Sequence, residues 1–187
     1  MAGKARHGKD TAVEALVSLG FLRTAFADPV RAGLLAVNPN IDVTALLTWA
    51  PVRVRREIIP LVEAVKRFGW EKLKSLPEVR GLLQRYGTEG GREIHGFDCW
   101  TAVAGDLLDR FPTTRFAFSD VRFVNEVDFI HEFGGLVYYV ERPGFDAVGT
   151  THISEQLDKS MCDEVIINDK SVRHLQDCVI SVAKSCV

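Results

Sequence analysis

Residues 3–11 read Gly3-Lys4-Ala5-Arg6-His7-Gly8-Lys9-Asp10-Thr11, two glycines framing a basic stretch that ends in a lysine. The spacing satisfies G-x-x-x-x-G-K, and the run behind it carries Val13, Leu16 and Val17 on one helical face with Gly20 as its stop. The residue types suit one chemistry. Gly3 and Gly8 let the backbone curl so that successive N–H groups point into one concavity. The helix expected over 10–19 adds the positive end of its dipole, Lys9 adds a mobile positive charge, and Thr11 offers a hydroxyl to phosphate or Mg²⁺. The stretch therefore reads as a phosphate loop, departing from the general pattern at Asp10, where Ser or Thr is usual. A glycine-containing basic tail would match only by chance; the amphipathic helix behind it favours the loop.

Outward from the loop, strand and helix patterns alternate. A strand is expected over 21–27 and a helix over 30–37, with Asn38-Pro39-Asn40 as a turn. Residues 41–110 read as mainly helical: 52–68 has apolar residues at helical spacing, Pro77 opens a helix to Tyr86, and 97–111 resumes after Gly87, Gly90 and Gly91. The end of the chain gives strands over 115–119, 136–141 and 165–168, separated by helices over 122–133 and 171–185. Strands separated by helices indicate a parallel α/β sheet, here with a helical insertion between its halves. Only Met1 and Ala2 precede Gly3, whereas a strand normally has ~5 or 6 residues. No regular strand is thus expected ahead of the loop, and a gap or an irregular closure beside it; the sequence reads as one that starts late.

Three further clusters carry charge in positions that suit ligand work. Arg31 lies one turn into a helix behind the strand over 21–27, with Asp28 and Pro29 as capping residues. Residues 82–100 hold Thr88, Glu89, Gly90, Gly91 and Arg92 as a polar hinge among helices; a surface break between helices explains it equally well. Ser119-Asp120-Val121-Arg122 ends a strand on the edge where open α/β sheets bind ligands. There Asp120 suits hydrated Mg²⁺ or a substrate hydroxyl and Arg122 a phosphoryl group, although Asp120 as a cap and Arg122 with Glu126 as an i,i+4 pair is the plainer alternative. Arg142 and the segment from Thr151 through His152 to Glu155 bracket a polar loop of lid length, for which a surface loop is nearly as good a reading.

The whole-chain numbers set the limits. With 187 residues, 47% hydrophobic and 26% charged, the chain has room for one domain with a real core. A net charge of −2 provides no global basic field for nucleic acid. Cys99, Cys162, Cys178 and Cys186 form no CxxC pair, and the five histidines do not cluster at metal-ligand spacing. No apolar run approaches the ~18 residues of a membrane span and no apolar signal core follows Met1, so a cytoplasmic setting without a membrane partner is expected.

Taken in order, G-K-A-R-H-G-K-D-T, F-A-D-P-V-R, L-L-Q-R-Y-G-T-E-G-G-R, S-D-V-R-F-V-N-E-V and H-I-S-E resemble phage-type deoxynucleoside monophosphate kinases over nearly the whole chain, to about Glu155. In that family Asp-Thr after the loop lysine is the usual pair. The resemblance implies a single P-loop kinase domain over 1–187, with a three-layer core, an acceptor-binding helical insertion over 38–110 and a lid-like loop over 142–162. It implies transfer of the γ-phosphoryl of ATP, with Mg²⁺, to a deoxynucleoside 5′-monophosphate, in the host cytoplasm if the chain is phage-encoded. Gly3, Arg6, His7, Gly8, Lys9, Asp10 and Thr11, with Arg142, would hold ATP, and Thr11 and Asp120 the metal ion. Arg31, Thr88, Glu89, Arg92 and Trp100 would line the acceptor side. Lys9, Asp120 and Arg122 would serve the transfer step, with Glu126 beside them and His152 to Glu155 on the closing side. Such kinases often pair through a helical face, which implies a homodimer. The rivals are a kinase of the same fold acting on phosphomevalonate or dephospho-coenzyme A, and an ATP-binding module without transfer; Arg31, Arg92 and Arg122 disfavour the latter, since an ATP binder needs no second anion site.

Overall fold

The computed structural model describes residues 1–47, 56–145 and 157–185. The start of the 52–68 stretch, Thr151, the His152–Glu155 motif and Cys186 lie outside them. The chain divides into two compact units, one built from residues 1–26 and 101–187 and the other from 27–100.

The first unit is mixed α/β. Its elements are α1 (Lys9–Ser18), β1 (Leu22–Thr24), α6 (Cys99–Arg110, which begins two residues before the unit), β4 (Phe116–Phe118), α7 (Val124–Glu132), β5 (Tyr138–Glu141), β6 (Glu164–Ile167) and α8 (Val172–Ser185). Strand β1 pairs parallel with β4, Leu22 opposite Phe116, and β5 pairs parallel with β6, Tyr138 opposite Glu164. The expected strands are all there: those over 21–27, 115–119 and 136–141 are shorter than predicted, and the one over 165–168 keeps its length but starts one residue earlier.

No regular strand precedes Gly3; Met1 and Ala2 occupy the slot between the two strand pairs. The Met1 amino group donates to Phe118 O (2.6 Å) and Met1 O accepts from Val121 N–H (3.2 Å). On the other side Ala2 N–H donates to Tyr138 O (2.8 Å) and Ala2 O accepts from Val140 N–H (3.0 Å), a single parallel bridge opposite Tyr139. Among the described residues the pairing beside the loop is thus an irregular closure, as expected.

Alternation along the strands sends side chains to two cores. Ala2, Phe118, Tyr139 and Val165 face α6 and α7, packing with Phe26, Ala104, Val127, Phe129 and Ile130. Met1, Ala117, Val140 and Ile166 face α1 and α8, packing with Ala12, Val13, Leu175 and Val179. Helices thus cover both faces of the short parallel sheets, as a sheet buried on both sides requires.

The second unit holds α2 (Asp28–Val37), β2 (Asn40–Asp42), β3 (Ile58–Pro60), α3 (Leu61–Leu73), α4 (Pro77–Gly87) and α5 (Glu93–His95) around Leu34, Ile41, Val43, Leu61, Leu73 and Val79. Two expectations fail here. Residues 58–60 are a strand, antiparallel to β2, where the apolar spacing of 52–68 predicts helix. Pro60 explains it: lacking an N–H and clashing with the preceding turn, proline opens α3 instead of sitting inside a longer helix. The glycines at 87, 90 and 91 do not break the chain into a hinge either. α4 runs through a π-helical turn over Thr88–Arg92 directly into α5. Glycines tolerate the wider turn because nothing projects from it, and a Cβ at Gly91 would collide with the Trp100 indole.

Candidate functional site

All strand pairings of the first unit are parallel, so the carboxyl ends of β1, β4, β5 and β6 and the exit from Ala2 lie on one edge. Open α/β sheets bind ligands there. Residues 3–8 form the loop on that edge. Gly3 has φ +128 and Gly8 φ +102, backbone regions closed to ordinary side chains, and a Cβ on Gly3 would run into Val140 O. Arg6 also has positive φ (63), which tightens the curl.

Gly8 is the residue before α1, and no side chain caps that helix. A helix start without a side-chain cap leaves its first-turn N–H groups directed back toward the residues before it, a geometry that suits an anion. The Lys9 ammonium folds back onto the loop's own carbonyls, Gly3 O and Lys4 O, both at 2.7 Å. Thr11 sits half-buried in the first turn of α1, whereas the Asp10 carboxylate turns outward to Arg23 (2.8 Å).

His7 has another place than its basic neighbours suggest. It is 4% exposed, its Nδ1 accepts from Arg142 N–H (3.2 Å) and its Nε2 lies 3.0 Å from Phe145 O. A nitrogen that accepts cannot also carry the proton, so Nε2 is the donor. His7 is thus a strut between the loop and the end of β5. Arg142 is exposed, with its guanidinium 5.2 Å from the Phe145 ring centre. A residue that the sequence reading passed over, Asn168, also touches the loop, donating from Nδ2 to His7 O (2.9 Å). The sequence puts Asn168 inside the strand expected over 165–168, whereas β6 ends at Ile167 and leaves Asn168 just past it.

Asp120 follows β4 on the same edge, and its Oδ1 accepts from Phe26 N–H (2.8 Å), which orients the carboxylate. The Arg122 side chain is exposed. Glu126 is 2% exposed, and its Oε2 accepts from the N–H groups of Arg122 (2.8 Å) and Phe123 (3.2 Å). That carboxylate satisfies the start of α7, so its visible work is structural.

The cluster of the second unit surrounds the π turn. Gly33 of α2 packs against Tyr86 and Gly87 packs on Val30, which brings α2, with Arg31, against the end of α4. Arg31 pairs with Asp28 (3.1 Å) and Glu89 with Arg85 (3.2 Å), both on the surface. Thr88 is exposed, and the Arg92 guanidinium lies 5.6 Å from the Phe97 ring centre. Trp100 donates from Nε1 to Gly87 O (2.8 Å) and lies near Tyr86, ring centres 6.3 Å apart. Its indole holds the turn in shape.

Among the described residues no three His, Cys, Asp or Glu side chains gather to hold a metal ion. Mg²⁺ does not need them, since it is held by one or two protein oxygens with the rest from water and phosphate. The Thr11 hydroxyl and Asp120 carboxylate are hard oxygen donors of that kind. No helix among the described residues is long and apolar enough to cross a membrane.

The deoxynucleotide monophosphate kinase family model matches residues 59–179, which hold the π turn, Asp120, Arg122 and Arg142. A protein of Acanthamoeba polyphaga mimivirus, provisionally named a deoxynucleotide monophosphate kinase, is 29% identical over 205 aligned residues. The alignment covers 97% of this chain and 92% of the viral protein.

Proposed function

The chain belongs to the deoxynucleotide monophosphate kinase family, and from that premise we propose that it moves the γ-phosphoryl of ATP to a deoxynucleoside 5′-monophosphate. The observation that carries the donor half is the loop at residues 3–9: two glycines at positive φ, an uncapped helix start and Lys9 folded across the loop. Such a loop cradles a polyphosphate with backbone N–H groups, as the P-loop kinase reading of the fold requires. Gly3, Arg6, Gly8, Lys9 and Thr11 would face the ATP phosphates, with Arg142 beside the nucleotide. His7 would hold the loop from behind.

Phosphoryl transfer asks the protein for positioning and charge, not for a strong base. Lys9 would leave the Gly3 and Lys4 carbonyls for phosphate oxygens, and Arg122 would meet the transferred group. Mg²⁺, held through Thr11 and Asp120, would neutralise phosphate charge. Arg31, Thr88 and Arg92 would take the acceptor, whose own phosphate explains arginines that an ATP binder would not need. Glu89 would accept from the nucleoside, and Trp100 would keep the π turn formed.

The test is acceptor-dependent ADP release across deoxynucleoside and ribonucleoside monophosphates, phosphomevalonate and dephospho-coenzyme A. Release with one or more deoxynucleoside monophosphates is expected. Release with phosphomevalonate or dephospho-coenzyme A alone would move the chain to another acceptor. ATP binding with no release would make it a non-catalytic binding module.

A further inference from the structure

Asn168 follows β6 directly, and its backbone N–H donates to Glu141 O (2.7 Å), which pins the residue at the end of the β5–β6 pair. From there its Nδ2 donates to His7 O at 2.9 Å. A carbonyl only accepts, so the NH₂ end of the amide is the end that faces it. A Cβ on Gly8 would come within 2.7 Å of the same Nδ2, so the bare Cα of Gly8 is what lets the amide lie against the loop. From the β5 side, His7 is held by its ring through Arg142 N–H and Phe145 O. Two neighbouring strand ends therefore grip one loop residue.

The consequence follows from peptide geometry. In a trans peptide the C=O and the N–H point in opposite directions. Fixing the His7 carbonyl toward Asn168 turns the Gly8 N–H the other way, next in line to the uncapped first turn of α1. Released, that peptide is free to rotate about the permissive Gly8 and take one donor out of the row. We propose that Asn168 is a positioning residue of the phosphate loop: its amide holds the His7–Gly8 peptide in the orientation that presents N–H groups to a polyphosphate.

The inference rests on the reading of residues 3–11 as the donor loop. Its test compares the full chain with Asn168→Ala and Asn168→Asp by calorimetric titration of ATP and of inorganic tripolyphosphate, and by hydrogen exchange of residues 3–12 without ligand. Losing one neutral hydrogen bond should weaken both ligands about five- to tenfold in Asn168→Ala. Asn168→Asp should weaken them more, since its carboxylate faces a carbonyl. Exchange of 3–12 should rise in both variants, and KM for ATP should rise while KM for the acceptor stays put. Wild-type binding with unchanged affinity and exchange in the variants would overturn the role of Asn168 alone. An equal rise of both KM values would also overturn it, by marking general loss of structure. A wild-type chain that binds neither ATP nor tripolyphosphate would remove the donor-loop reading and this role together.

Discussion

Lys9 shows how one side chain is held ready. Its ammonium bonds to two loop carbonyls at 2.7 Å, contacts that under the proposed reaction a phosphate oxygen would replace with a stronger, charge-assisted bond. Lys9→Met should therefore lower kcat by at least ~100-fold with a smaller change in KM, because the charge acts mainly on the transition state. Steady-state kinetics on the purified variant, with circular dichroism to confirm folding, decides it; near-normal turnover removes Lys9 from the mechanism. The arginines should separate by role. Arg92→Ala is expected to raise KM for the deoxynucleoside monophosphate, and Arg122→Ala to lower kcat. Identical effects would undo that division. At this scale the loop was legible from two glycines and a lysine at fixed spacing. The burial of His7 was not, because a histidine between an arginine and a glycine looks like part of a basic patch. Only the fold reveals that Arg142 N–H and Phe145 O enclose its ring.

Elements add the next layer. The π turn depends on the fit between Gly91 and the Trp100 indole. Gly91→Ala should push the indole off, break its bond to Gly87 O and raise the acceptor KM several-fold, and the smaller ring of Trp100→Phe should restore part of the loss in the double variant. Additive effects in that cycle would separate the two residues. Glu126 is buried and accepts from two N–H groups just ahead of α7, so Glu126→Ala should destabilise the fold by about 1–3 kcal/mol, read by denaturant titration. In the β2–β3 hairpin, hydrogen bonds from Thr44 and then Arg56 hold the Asp42 carboxyl down at about 2, from an ordinary 3.8. A carboxylate depressed by folding contributes stability above its unfolded value, and that stability is lost as pH falls through its folded one. The melting temperature of the wild type should therefore drop more steeply between pH 4 and pH 2 than that of Asp42→Asn. The hairpin itself was hidden in the sequence. A few apolar residues ahead of Pro60 fit a helix as well as a strand, and pairing with residues almost twenty positions away decided between them. The π turn was hidden for a related reason: three glycines in five residues look like a break, and an indole packing from position 100 is what keeps them helical.

At the scale of the whole molecule, alternating strands and helices announced the parallel α/β character, and five ordered motifs announced the family. Met1 and Ala2 join the two strand pairs through one bridge opposite Tyr139 and the backbone bonds of Met1. The division into a loop-bearing unit and a mainly helical one places the proposed donor and acceptor residues on different units. Mutations should then sort by unit: changes at Gly3 or Gly8 should alter ATP binding, and changes at Arg31 or Arg92 acceptor binding. The central claim is the path of one phosphoryl group. The most direct measurement incubates the chain with ATP labelled in its γ-phosphate, Mg²⁺ and a deoxynucleoside 5′-monophosphate, and separates the products by chromatography. The account predicts label in the deoxynucleoside diphosphate, absent when Lys9→Met replaces the wild type. Label that stays in ATP or appears only as inorganic phosphate, with every deoxynucleoside monophosphate tried, would contradict it.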